Sequence, residues 1–227
     1  MSHSNRTDQS TLIIIPSYNA ARTLTELIPR LRKSVNLPIL VVDDGSSDDT
    51  AGIAADCDTF YIRLQTNHGK GAALRAGFKF AIDQGYDAVI TLDADLQHLP
   101  EEVPRFLNYA GGRMILVGTR RKSLAEMPFG RWVSNNLTSI ILSIFSNHIV
   151  RDSQSGFRLI PTAILKQLQL QADRYDLESE LLFKACKAGY KVVEVPVSTV
   201  YSDESSHIAA FRDVGRFIRQ VWKRIWL

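Results

Sequence analysis

Five stretches of this chain are apolar at consecutive positions, and a strand-stopping residue cuts most of them short. Residues 11–15 end at Pro16, 38–42 at Asp43-Asp44-Gly45 and 114–117 at Gly118, with 59–64 and 88–92 between them. A strand with one wet face alternates, whereas one apolar at consecutive positions is buried on both faces, as in a parallel sheet. Parallel neighbours need crossovers, and segments 21–35, 49–55, 71–84 and 101–109 read as the helices that supply them. Gly85 fits a helix C-terminus and Pro100 a first helical turn, while Pro29 is expected to kink or split the first helix. The prediction is an α/β fold, an open, mostly parallel sheet flanked by helices. Ligands of such sheets bind beyond the carboxyl ends of the strands.

The second half differs. Residues 120–128 form a polar, basic connection, a loop that could order over a substrate. Residues 132–150 carry a wide apolar face, including Leu137, Ile140, Ile141, Ile144 and Phe145. Segments 153–159 and 191–200 read as further strands, and 164–170 and 177–188 as helices. Residues 208–227 form a basic amphipathic helix, with Phe211, Ile218, Trp222 and Ile225 on one face. Such a helix lies in the interface of an anionic membrane or packs on the core. Without a repeat or a clear linker, the expected organisation is a frayed tail 1–10, one domain 11–207 and the C-terminal helix 208–227.

Composition narrows the function classes. Hydrophobic residues at 45% and charged residues at 22% describe a globular chain rather than a disordered one. A net charge of +3 does not argue for nucleic acid. Cys57 and Cys186 are too few for a disulfide framework or a cysteine-built metal site, which favours reduced, cytosol-type surroundings. No run of about 18 apolar residues predicts a membrane-spanning helix, and residues 1–10 lack the apolar segment of a secretory signal. The expected location is the side of the membrane where the chain is made.

The chemistry-bearing residues fall at strand ends. Asp93-Ala94-Asp95 follows the fourth apolar run, where two carboxylates at i and i+2 can converge on one ion. Hard oxygen ligands suit Mg²⁺ or Mn²⁺, which take their remaining ligands from water and phosphates. Gln97 can add a carbonyl oxygen, and His98 is an alternative ligand. Asp43 and Asp44 can accept from a ribose or base, or else they cap the next helix together with Ser46. Tyr18 can wall a flat base or pack in a turn. Lys70 stands at a helix start where it faces a nucleotide or solvent, in a segment that lacks the Walker pattern. Arg120 and Arg131 bring positive charge suited to phosphate. Asp176, Glu178 and Glu180 crowd another helix start.

Taken in order, these motifs resemble the family 2 glycosyltransferases of the GT-A (Rossmann-like) fold, in the polyprenyl-phosphate branch represented by dolichol-phosphate mannose synthases. The matching residues are Ile15-Pro16-Ser17-Tyr18-Asn19, Val41-Val42-Asp43-Asp44-Gly45-Ser46, Asn67-His68-Gly69-Lys70-Gly71 and Leu92-Asp93-Ala94-Asp95-Leu96-Gln97-His98. Gly118-Thr119-Arg120, Asp152 with Ser155-Gly156-Phe157-Arg158, and Glu194-Val195-Pro196 continue the series, over roughly residues 11 to 205. The resemblance implies that Pro16, Tyr18, Val42 and Asp44 hold the nucleoside of a sugar donor. It implies that Asp93 and Ala94 line the donor site, that Asp95 and Gln97 hold the metal, and that Arg120 and Arg131 contact phosphates of donor and acceptor.

Two departures leave the donor open between GDP-mannose, a UDP-hexose and other sugar nucleotides. Asn19 is followed by Ala20 where the family often has Glu, and residues 201–207 lack a basic residue often found there. The implied reaction is an inverting transfer to a polyprenyl or dolichyl phosphate, at the cytoplasmic face of a membrane, with a membrane protein as a further candidate partner. An ionised lipid phosphate needs no strong base, since its second pKa lies near 6. A hydroxyl acceptor on a glycan or glycolipid would need one, for which Glu178 or Glu180 are the candidates. A phosphatase of the Asp-x-Asp type would place its acids after an early strand, with Thr or Val where Gln97 stands. A non-catalytic nucleotide-sugar-binding scaffold would not need to keep both the acids and the arginines.

Overall fold

The computed structural model describes residues 10–108, 113–120, 155–173 and 176–198. Within them the strands are β1 (Thr11–Ser17), β2 (Ile39–Asp43), β3 (Phe60–Arg63), β4 (Ala88–Thr91), β5 (Met114–Arg120), β6 (Arg158–Pro161) and β7 (Lys191–Val197). The helices are α1 (Ala21–Ser34), α2 (Thr50–Asp56), α3 (Lys70–Asp83), α4 (Val103–Leu107), α5 (Thr162–Gln167) and α6 (Asp176–Lys187), with a 3-10 turn at Pro100–Glu102. All strands join one sheet in the order β3-β2-β1-β4-β6-β5-β7. The first four are mutually parallel.

The central strand shows why consecutive positions are apolar. Leu12 and Ile14 of β1 face one core with Ala73, Leu74 and Phe78 of α3. Ile13 and Ile15 face the other with Leu24, Leu27, Ile28 and Leu31 of α1. These α1 residues recur at i, i+3, i+4 and i+7, one helical face. That face is anchored on both sides of Pro29, and α1 runs through the proline unsplit, contrary to one of the two expectations for it. The lost N–H removes one rung, which the packed stripe offsets.

Direction is where the strand pattern misleads. β6 is antiparallel to both β4 and β5, with Thr91 opposite Arg158 and Leu116 opposite Leu159. Apolar runs report burial on both faces, not polarity of the chain, so the pattern could not show this. The reversal brings Ser155-Gly156-Phe157 to the carboxyl tip of β4. The sheet is mixed, still mostly parallel.

Smaller differences have local causes. β3 is an edge strand and Phe60 is half exposed, not buried on both faces. The helix expected over 101–109 is a 3-10 turn followed by a short α4, because Pro104 enters at the first positions of α4. β6 begins at Arg158, later than the strand expected from 153. Cys57 and Cys186 are not joined in a disulfide. The expectations for the tail 1–9, the loop 121–128, the apolar segment 132–150 and the helix 208–227 lie outside the described residues. Among the described residues no helix is long and apolar enough to cross a membrane.

Candidate active site

Three strand tips lie side by side, β2, β1 and β4. Ser17 and Asp43 share a register position, so the chains leave β1 and β2 together. Their loops then bond to each other. The Asn19 N–H donates to Ser46 Oγ (2.8 Å), and the Ser47 N–H donates to Asn19 Oδ1 (2.9 Å). Pro16 and Val42 are buried beneath these loops, and Tyr18 projects with 52% of its surface exposed.

The acids ending β2 are both buried. Asp43 accepts from the Tyr61 hydroxyl (2.6 Å) and the Ser46 N–H (2.8 Å), with the Arg63 guanidinium 3.7 Å away. Burial, then the bond to Asp43, pushes the Tyr61 phenol up to about 12. Asp44 accepts the backbone N–H groups of His68 (2.9 Å) and Gly69 (2.7 Å). Between these acids and that loop stands Gly45 at φ +78°, where a Cβ would come within 2.8 Å of the Thr66 backbone. Only glycine combines that dihedral with so close an approach. Asp44 therefore welds the β2 tip to the loop entering α3, while Asp43 ties it to β3.

The tip of β4 is built differently. Lys70, first residue of α3, reaches Asp93 Oδ1 at 2.6 Å and Glu178 Oε1 on α6 at 2.8 Å. Its side chain is 16% exposed, so it does not face solvent. Burial alone would lower the Lys70 pKa, but the charges of Asp93 and then Glu178 outweigh it and hold the ammonium above the ordinary lysine range. Burial raises Glu178, against the opposing charges of Lys70 and Arg158. On its other side Asp93 abuts Gly156, where a Cβ would collide with the carboxylate.

Ala94 packs on the α1-side core, while Asp95 is exposed and accepts the Gln97 N–H (3.0 Å) on its Oδ1. Leu96 between them adopts φ +59°, an uncommon conformation for a branched side chain, so the turn is held by its surroundings. His98 is buried with its ring tilted on Phe157 at 5.6 Å, facing the core rather than the exposed tip. Among the described residues no group of three His, Cys, Asp or Glu side chains could hold a metal unaided. An exposed carboxylate with a neighbouring amide fits a cation that takes its other ligands from water and a diphosphate.

Glu180 is a scaffold residue. It accepts from the backbone N–H of Gln171 (3.0 Å) and Ala172 (2.9 Å) and from Lys184 (2.7 Å). Burial raises its pKa, but Lys184 and the two amides outweigh that and hold it below the ordinary range. Arg120 ends β5, while Arg131 and Asp152 lie outside the described residues. Sequence reasoning assigned no role to Gly156 or to Arg158, whose buried guanidinium bonds the carbonyls of Ser155 and Glu178, each at 2.7 Å. The signal was their place in the Ser155-Gly156-Phe157-Arg158 stretch that carries part of the family resemblance.

Residues 12–169 match the family model described as Glycosyl transferase family 2. The UDP-N-acetylglucosamine–dolichyl-phosphate N-acetylglucosaminyltransferase of Methanococcus voltae is 32% identical over 222 residues, 87% of this chain and 88% of that protein. The polyprenol monophosphomannose synthase of Mycolicibacterium smegmatis is 31% identical over 207 residues, 85% and 78% of the two chains. Glucosyl-3-phosphoglycerate synthase of Mycobacterium tuberculosis, crystallised in complex with Mn²⁺, uridine diphosphate and glucosyl-3-phosphoglycerate, superposes with a TM-score of 0.69 over 94% of this chain and 77% of that one. At 21% identity that likeness speaks to the fold alone.

Proposed function

The chain belongs to glycosyl transferase family 2 and is a glycosyltransferase, and from that premise we propose that it moves a sugar from a nucleotide sugar to a polyprenyl or dolichyl phosphate. The observation that carries the reading is the asymmetry at the β4 tip, where Asp93 is held by Lys70 and Asp95 is left exposed. The named acceptors of the two relatives support the lipid phosphate.

In this reading the donor's base lies against Tyr18, over the floor made by Pro16 and Val42. Asp43 and Asp44 keep that floor rigid. A carboxylate has about four acceptor positions, and Asp44 uses two on backbone amides, which leaves capacity for a ribose or base donor. Asp93 and Ala94 line the sugar-diphosphate side, and Lys70 stands at its edge through Asp93. Asp95 and Gln97 would hold Mg²⁺ or Mn²⁺, and the chemistry such an ion would supply is positive charge beside the departing diphosphate. Arg120 and Arg131 bring further positive charge to the phosphates of donor and acceptor.

The acceptor phosphate oxygen attacks the anomeric carbon opposite the leaving group. Its bond to carbon forms as the carbon–oxygen bond to the diphosphate breaks, the nucleoside diphosphate leaves with the electron pair, and the configuration inverts. The ionised phosphate brings its own nucleophilic oxygen, so no protein base is needed. Glu178 fits that requirement, since it is buried and bonded to Lys70 rather than open to an acceptor.

A lipid acceptor places the enzyme on the cytoplasmic face of a membrane, with domain 11–207 doing the chemistry, helix 208–227 resting on the surface and a membrane protein as a further partner. Transfer from radiolabelled UDP-N-acetylglucosamine, UDP-glucose and GDP-mannose to undecaprenyl phosphate, against undecaprenol and an oligosaccharide, tests the acceptor. Label should enter the organic phase with the phosphate only. Label on either hydroxyl acceptor instead would point to the hydroxyl-acceptor alternative.

A further inference from the structure

We propose that Lys70 is a positioning residue of this transfer, acting through Asp93 by tying it to Glu178 and so joining the β4 tip to α6. The proposal rests on the reading that Asp93 lines the donor site. Three elements meet at one ammonium, the first residue of α3, the residue two past the end of β4, and the third residue of α6. Two carboxylates crowded into a partly buried space repel each other, and the ammonium between them removes that repulsion.

A second set of contacts closes a ring around Asp93. The Thr91 hydroxyl donates to the Gly156 carbonyl at 2.7 Å and places the glycine where its missing Cβ makes room for the carboxylate. Arg158 donates from Nε to the Ser155 carbonyl and from Nη1 to the Glu178 carbonyl. Glu178 is thereby held at its backbone by Arg158 and at its carboxylate by Lys70. Asp93 has Lys70 on one side and Gly156 on the other, so its orientation is fixed before any donor arrives. Preorganisation of this kind is worth most where a small displacement misaligns reacting groups.

The test is a cycle of variants read by calorimetry with UDP-N-acetylglucosamine and GDP-mannose in the presence of Mn²⁺. Lys70→Met should weaken donor binding by about a hundredfold. Lys70→Arg, which keeps the charge, should stay within about tenfold of the native protein. In the Asp93→Asn background Lys70→Met should add almost nothing, since coupled residues are non-additive. Gly156→Ala and Glu178→Gln should behave alike, and they carry the test if Lys70→Met does not fold. Equal losses with and without Asp93 would overturn the positioning role and leave the functional reading standing. An Asp93→Asn variant that binds both donors normally, or a native protein that binds neither, would overturn the donor-site reading and the positioning role with it.

Discussion

The tips of β2 and β4 each carry two aspartates, and the pairs are put to opposite uses. Asp43 and Asp44 are buried and accept hydrogen bonds from Tyr61, Ser46, His68 and Gly69. At β4, Asp93 is paired with a partly buried lysine and Asp95 reaches solvent. The difference teaches that a carboxylate at a strand end is defined by who donates to it. Burial beneath several donors makes it a brace, as with Asp44; Asp95, exposed although it accepts the Gln97 N–H, is the one proposed to meet a cation.

The sharpest way to break that contrast is Asp95→Asn. Transfer should fall on the order of a hundredfold or more, because charge on the leaving diphosphate goes uncompensated. Stability should move by no more than about 0.5 kcal/mol, since the side chain is exposed. Asp44→Ala should do the reverse in emphasis, lowering unfolding free energy by about 2–3 kcal/mol as two backbone N–H groups lose a charged acceptor. Denaturant titration reads that loss.

Tyr61→Phe removes a single bond to Asp43 and should cost about 1 kcal/mol at neutral pH. The phenol's pKa is raised on folding, so its contribution is full below about pH 10 and disappears as pH rises toward the folded value. Alkaline unfolding should therefore be flatter in that variant. The smallest effect concerns Glu180, whose folded pKa is lowered. Its stabilisation is present above the unfolded value of about 4.3 and is lost as pH falls through the folded one. Glu180→Gln should show a shallower acid limb in thermal unfolding scans between about pH 5 and pH 2.

Much of this architecture was readable from residue order. The five apolar runs became strands β1 to β5, all running in the same direction. However, β1 continues through the expected stop at Pro16 to Ser17 and β5 through Gly118 to Arg120, since both residues keep their place in the ladder. What was hidden depends on pairing across the chain. The antiparallel course of β6 leaves no trace in hydropathy, yet it is what brings Gly156 against Asp93. Lys70 looked like a residue facing nucleotide or solvent because its partners lie far along the sequence, Glu178 on a different helix. Glu178 and Glu180 were indistinguishable as candidate bases until their donors were seen, one bonded to Lys70 and the other to two amides and Lys184.

The rate of sugar transfer to undecaprenyl phosphate, followed before and after chelation in native protein and in Asp95→Asn, probes the account at its root. The native rate should collapse with chelator and return with Mn²⁺ or Mg²⁺, while the variant stays slow throughout. A native rate indifferent to chelation, or a variant restored in full by Mn²⁺, would contradict the role given to the β4 tip.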